Sequence, residues 1–303
     1  MLGLLIFCFS LGALARRIPA LPRETPKVLN TWVLFVSLPA LVLKTVHGVG
    51  LEARFFVAAG VLWGLFGLAA LVAIVAVKRG WATREVAGAL ALSTGLGNTA
   101  FIGVPLLEAL GGPGAVAPAA MMDQLGSFLV FALGAVPFAM SFGGENTRPA
   151  VVLKRLLTFP PFIALVAAFA LRPVAFPASV DSVLSRFADM LTPLALVSVG
   201  WQLELSSLRG NGGKLALGLS WKLVGAPVVM LGVLLALGGG FGLTDRVAVA
   251  QAAMAPMVTA AVLATEYRLA ASVSAAMSAV GALLSFVTVP AWWALTERLT
   301  SSS

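Results

Sequence analysis

Three side chains able to do hydrogen-bonding or acid–base chemistry stand inside otherwise apolar stretches. Asn98 and Thr99 lie in Gly95-Leu-Gly-Asn-Thr-Ala-Phe-Ile-Gly-Val-Pro105, and Asp123 lies in Met121-Met-Asp-Gln-Leu125. An amide beside a hydroxyl can donate to a carboxylate, and a carboxyl group held away from water can carry a proton or, with Gln124 next to it, complete a cation site. The stretch around Asn98 also weakens its own helix. Gly95, Gly97 and Gly103 lower helix propensity, and Pro105 removes a backbone donor and clashes one turn back. A break in mid-membrane is expected, and broken backbone at that depth survives only where it is buried in protein or lines a cavity. For one such kink, local packing is the simpler account. A second interruption, Met254-Ala-Pro-Met-Val-Thr259, falls in the corresponding place of the second half, and paired interrupted segments are the best sequence pointer to a transporter's binding site. Gly97, Asn98, Thr99, Pro105, Pro256 and Thr259 are thus the expected substrate-binding residues. Asp123 and Gln124 are the expected ion-coupling pair, the alternative for Asp123 being a structural acid bonded to the amides of the break.

The elements that must position these groups follow from composition. Sixty per cent of the 303 residues are apolar and eleven per cent are charged, which marks an all-α polytopic membrane protein rather than a soluble domain. Ten apolar segments can be marked, at about 2–15, 28–46, 55–77, 86–110, 115–140, 151–171, 183–203, 215–237, 247–265 and 270–294. The first is short and ends Ala13-Leu-Ala15 before Arg16-Arg17. Because its basic pair follows the apolar run instead of preceding it, a retained short helix is expected rather than a cleaved leader. The net charge of +8 does not indicate nucleic acid: thirteen Lys and Arg follow odd-numbered segments and five lie in the other loops and the C-terminus. That asymmetry places the odd loops in the cytoplasm and both termini outside a bacterial-type plasma (inner) membrane. Cys8, the single cysteine, and His47, the single histidine, supply neither a disulfide nor a zinc cluster, so no metal site is expected.

The longest polar interruption, Ser141 to Pro149, divides the segments five and five. Five is odd, so the second half enters from the opposite side, the arithmetic of an inverted repeat: residues 1–143 form the first unit and 150–303 the second. Lys44 and Lys222 lie within about two turns of segment ends and are expected to snorkel to the interface; Glu204 and Glu266 also sit near ends. The tight Gly111-Gly-Pro-Gly114 turn makes the fourth and fifth segments antiparallel neighbours, which brings Asp123 and Asn98 to comparable depth.

Gly97-Asn-Thr-Ala-Phe-Ile-Gly-Val-Pro-Leu106 resembles the signature of the auxin efflux carrier family, within the superfamily that also holds the bile-acid symporters. Leu11-Gly-Ala-Leu-Ala-Arg-Arg17 and Ser37-Leu-Pro-Ala-Leu41 are similar to its first two helices, Asp123-Gln-Leu-Gly-Ser127 to its fifth, and Pro193-Leu-Ala-Leu-Val-Ser-Val-Gly200 to its seventh. The resemblance implies ten transmembrane helices in two inverted five-helix repeats. Broken helices four and nine would cross at mid-membrane, with helices 1, 2, 6 and 7 as scaffold and 3–5 and 8–10 as the mobile transport part. It also implies elevator-type alternating access, with the substrate at the crossover and a homodimer through the scaffold helices. One departure is Thr259, which stands where the family pattern has a second asparagine; the hydroxyl keeps a donor but the paired amide is lost.

The leading expectation is a secondary transporter of a small organic anion, since helix N-termini and their free N–H groups favour a carboxylate. No cofactor is expected beyond a coupling H+ or Na+, and the expected partners are the anion and membrane lipids, with no nucleic acid. A sodium-coupled carrier resembling the bile-acid symporters is the alternative. An intramembrane enzyme is remote, because Asp123 is the only mid-span carboxylate and no catalytic partner accompanies it.

Overall fold

Where a chain crosses apolar surroundings, each backbone N–H and C=O has to be paired within its own segment, and helix is the local solution. The computed structural model describes residues 2–48, 50, 52–144, 149–203, 212–238 and 240–300; Glu204 lies outside them. The protein is all-helical, and among the described residues the sole extended pairing is an isolated bridge. In chain order the helices are α1 (Leu2–Ala15), α2 (Thr25–His47), α3 (Ala53–Lys78), α4 (Arg84–Gly95), α5 (Thr99–Gly111), α6 (Pro113–Phe142) and α7 (Pro149–Leu157). They continue with α8 (Pro160–Ala170), α9 (Ala178–Trp201), α10 (Gly212–Leu237), α11 (Leu243–Ala252), α12 (Val258–Glu266) and α13 (Ala271–Thr300). By length and composition, α2, α3, α6, α9, α10 and α13 can cross a membrane, and α1, α5 and α8 are shorter apolar helices. The large apolar side chains they turn outward, among them Phe7, Val72, Leu217 and Val287, mark an integral membrane protein.

Two helix interruptions fall where the sequence reading expects them, and a third, also set by proline, does not. The expected fourth segment is α4 and α5 with Leu96 to Asn98 between them, and the ninth is α11 and α12 with residues 253–257 between them. The sixth segment, expected to be continuous, is also divided, into α7 and α8. Phe159 is held extended at φ −81°, ψ 121° because a residue before proline is pushed out of the helical region, and Pro160 then starts the next helix.

Other prolines are absorbed without a break. Wide π-helical turns at Val33–Ser37, Thr99–Gly103, Phe131–Ala135 and Trp221–Gly225 each run directly into a helical stretch whose first turn carries Pro39, Pro105, Pro137 or Pro227. Widening the turn moves the carbonyl that the proline ring would strike and removes the need for the missing N–H. Pro105 therefore does not make the break in its segment; the extended residues Leu96 to Asn98 do.

Packing brings these pieces together at backbone distance. A Cβ on Gly12 would stand 2.0 Å from the Val197 carbonyl oxygen, and one on Gly200 the same distance from that of Phe9, so α1 and α9 touch main chain to main chain through small residues. α13 also crosses the second break closely: a Cβ on Gly281 would fall 2.4 Å from Cδ of Pro256. At one end of the bundle Arg54 of α3 pairs with Asp245 of α11, whose second oxygen accepts from the Gly242 amide at 2.8 Å. α11 is thereby capped and tied to α3.

Candidate functional site

The two breaks lie against each other as a two-residue piece of antiparallel sheet. The Asn98 amide donates to the Ala255 carbonyl at 2.8 Å and the Met257 amide to that of Leu96 at 3.2 Å, with Gly97 opposite Pro256. Each break thus satisfies backbone groups that the other would leave bare. Asn98 has a second role. Its Oδ1 accepts from the Phe101 amide at 3.3 Å, making it the N-cap of α5, a task suited to a side chain with a short acceptor. Two half-helix N-termini, at Thr99 and Val258, and two C-termini, at Gly95 and Ala252, are gathered in one place.

Beside this junction is a cavity of about 270 Å³. The broken helices and α6 contribute Asn98, Phe101, Asp123, Gln124 and Thr259, and the opposite wall carries Asn30, Leu34 and Leu38 of α2 with Val199 and Gln202 at the end of α9. Phe128, Phe131 and Phe159 close its sides, with Phe128 and Phe159 stacked at 4.5 Å. Both half-helix N-termini contribute lining residues, so the positive ends of their dipoles bear on this space.

Of the residues read from the sequence, Asn98, Asp123, Gln124 and Thr259 line the cavity together. Gly97, Thr99 and Pro256 stand behind it: Gly97 and Pro256 form the bridge, and buried Thr99 donates from Oγ1 to Oδ1 of Asp123 at 2.6 Å. The Gln124 amide donates to the other Asp123 oxygen at 2.8 Å, so side chains rather than the amides of the break hold this carboxyl group. Oε1 of Gln124 and Oγ1 of Thr259 are buried with no partner among the described residues. Such atoms on a cavity wall are what a bound ligand or ion would satisfy. Pro105 is not with the others; it lines a separate cleft of about 460 Å³ that also holds Lys44, Glu108 and Asp189. Among the described residues no three His, Cys, Asp or Glu side chains gather as metal ligands.

Lys222 corrects its sequence reading. Instead of snorkelling it is 2% exposed and donates from Nζ to the carbonyl of Ala252 at 3.1 Å. The end of α11 leaves that carbonyl without an intrahelical partner, and an ammonium at a helix C-terminus is favoured by the dipole. A side-chain carbon on Gly97 would come within 3.3 Å of the same Nζ, which places the ammonium against the first break as well. Lys44, by contrast, is exposed. Gln251, which the sequence offers only as a candidate oxygen donor to a cation in the sodium-coupled alternative, is a second polar group of the junction. It is fully buried and its Nε2 donates to the carbonyls of Ala119 at 3.1 Å and Thr99 at 3.4 Å, pinning α11 to α5 and α6. The signal available for both was a long polar side chain in an apolar segment near a break.

The family described as "Membrane transport protein" matches residues 3–293. An "Uncharacterized transporter" of Methanothermobacter thermautotrophicus is 25% identical over 285 residues, 93% of this chain and 93% of the relative. A Rhizobium meliloti protein named "Putative malonate transporter" is 29% identical over 245 residues, 76% of this chain and 74% of that protein.

Proposed function

The chain belongs to the membrane transport protein family, that of the auxin efflux carriers, and we propose that it is a secondary transporter moving a small organic anion, a carboxylate, by elevator-type alternating access. One observation carries the reading: two broken helices pair through Gly97 and Pro256 and bring both half-helix N-termini, with Asn98 and Thr259, to a single cavity. A carboxylate there would meet the positive dipole ends, the Asn98 amide and the unpartnered Thr259 hydroxyl.

The architecture that goes with this reading is ten membrane-crossing units in two inverted repeats, residues 1–143 and 150–303. α1, α2, α7 with α8, and α9 would be the static scaffold, α3 to α6 and α10 to α13 the moving body, and the cavity the seam between them. Both termini would face away from the cytoplasm of a bacterial-type inner membrane, and two copies would associate through scaffold helices. Asp123 is the coupling group in this scheme, carrying a proton while Thr99 and Gln124 hold it in place. Lys222 weighs against the sodium-coupled alternative, because its ammonium already serves the carbonyl end of α11, where an external cation would otherwise find oxygen ligands. The malonate name of one relative is in keeping with a small acid.

Saturable uptake of radiolabelled C2 to C6 carboxylates into proteoliposomes tests the proposal. Uptake by the wild type that is lost or much weakened in Asn98→Ala supports it. Equal leakage into protein-free vesicles across the whole panel overturns it.

A further inference from the structure

The wall of the cavity opposite the breaks is a second, separately built polar surface. Gln202, at the end of α9, donates from Nε2 to the Ser198 carbonyl at 3.0 Å and to Ser198 Oγ at 3.1 Å. A backbone carbonyl only accepts, so the amide nitrogen must be the side facing it, and Oε1 of Gln202 is turned away. Ser198 Oγ, having accepted from Gln202, passes its own hydrogen to Oδ1 of Asn30 at 2.6 Å, with the Pro26 carbonyl a longer alternative at 3.1 Å. This chain of bonds ties α2 to α9 and leaves two groups unspent. Oε1 of Gln202 is an acceptor and Nδ2 of Asn30 a donor, neither has a partner among the described residues, and both residues line the cavity that Asn98 and Thr259 also line.

We infer that the transported acid carries a hydroxyl group as well as its carboxylate, and that Gln202 with Asn30 is the static wall's selector for that hydroxyl. An acceptor and a donor lining one cavity and joined through Ser198 complement an O–H, which gives its hydrogen to Gln202 and accepts from Asn30. A second carboxylate has no hydrogen to give and would turn its charge toward Oε1 of Gln202, while a plain methyl group would leave both amides unpaired. The short aromatic-walled cavity suits a compact aliphatic body between the two polar ends. This rests on the carboxylate reading of the breaks and adds the substrate class and the residues that discriminate within it.

Three acids of equal chain length separate the possibilities: butyrate, 3-hydroxybutyrate and succinate, measured for binding and uptake with wild type, Gln202→Met and Asn98→Ala. Wild type should prefer 3-hydroxybutyrate to butyrate by about tenfold, roughly one hydrogen bond, with succinate the poorest ligand. In Gln202→Met, which keeps the side-chain length, that preference should shrink to within about twofold. Asn98→Ala should weaken all three acids alike, and because each ratio is taken within one preparation, partial misfolding of a variant cancels. Succinate or butyrate as the best ligand of wild type, or a hydroxyl preference unchanged in Gln202→Met, overturns the selector while leaving the carboxylate site standing. Saturable binding of none of the three overturns the carboxylate reading, and the selector with it.

Discussion

Asn98 does two jobs, and two substitutions separate them. Its Oδ1 caps α5 through the Phe101 amide, and its Nδ2 is left on the cavity wall to meet a ligand. Asn98→Ala removes both. Loss of a cap costs about 1 kcal/mol of stability, and loss of a donor to a carboxylate about 1.5 to 3 kcal/mol of binding, roughly ten- to a hundredfold in affinity. Asn98→Ser keeps a short acceptor of comparable capping strength but withdraws the amide. Its melting temperature should stay near that of wild type, while its affinity for the transported acid falls about as far as in Asn98→Ala. The assay is thermal unfolding of detergent-purified protein with and without ligand, beside equilibrium binding. From the sequence alone Asn98 is expected to matter for binding more than for folding, with little change in melting temperature on its removal; the cap adds the stability difference between the two variants. If Asn98→Ser binds like wild type and only Asn98→Ala fails, Asn98 acts by holding the half-helix, and the direct contact proposed for it does not exist.

Three further outcomes follow. Asp123→Asn keeps the size of the side chain and its bond from Thr99, so folding and binding should survive while the pH dependence of net uptake disappears; an unchanged pH profile would make Asp123 a structural acid. Lys222→Met deprives the Ala252 carbonyl of its donor, at a cost of about 1 to 3 kcal/mol. The variant should melt lower in potassium buffer and recover in part in sodium if a cation can enter in place of the ammonium; equal melting to wild type in potassium would show the bond to be dispensable. Gly200→Ala drives a methyl group into the Phe9 carbonyl at the contact of α1 with α9 and should destabilise by about 1 to 3 kcal/mol, whereas Gly60→Ala within α3, where a Cβ meets nothing within 4 Å, should not lower the melting temperature, since alanine favours helix over glycine.

How much of this was legible in the chain depended on how local the physics was. The helices, their membrane setting and the two central breaks are written in composition and in glycine and proline chemistry, which act within a turn or two. Asn98, Asp123, Gln124 and Thr259 could be singled out because polar groups in apolar segments need a reason, and the structure does gather them on one cavity. It took the tertiary structure to decide which partner each group found. Pro105, within the motif in sequence, lines another cleft, beyond the π-helical turn that absorbs it. Lys222 and Ala252, thirty residues apart, and Ser198 and Asn30, 168 residues apart, meet only when separate helices pack. The pairing of Gly97 with Pro256 is of the same kind. A hydrogen bond between distant segments leaves no period and no spacing in the sequence; it is set by which helix faces come together, and that choice belongs to the packing of the whole chain.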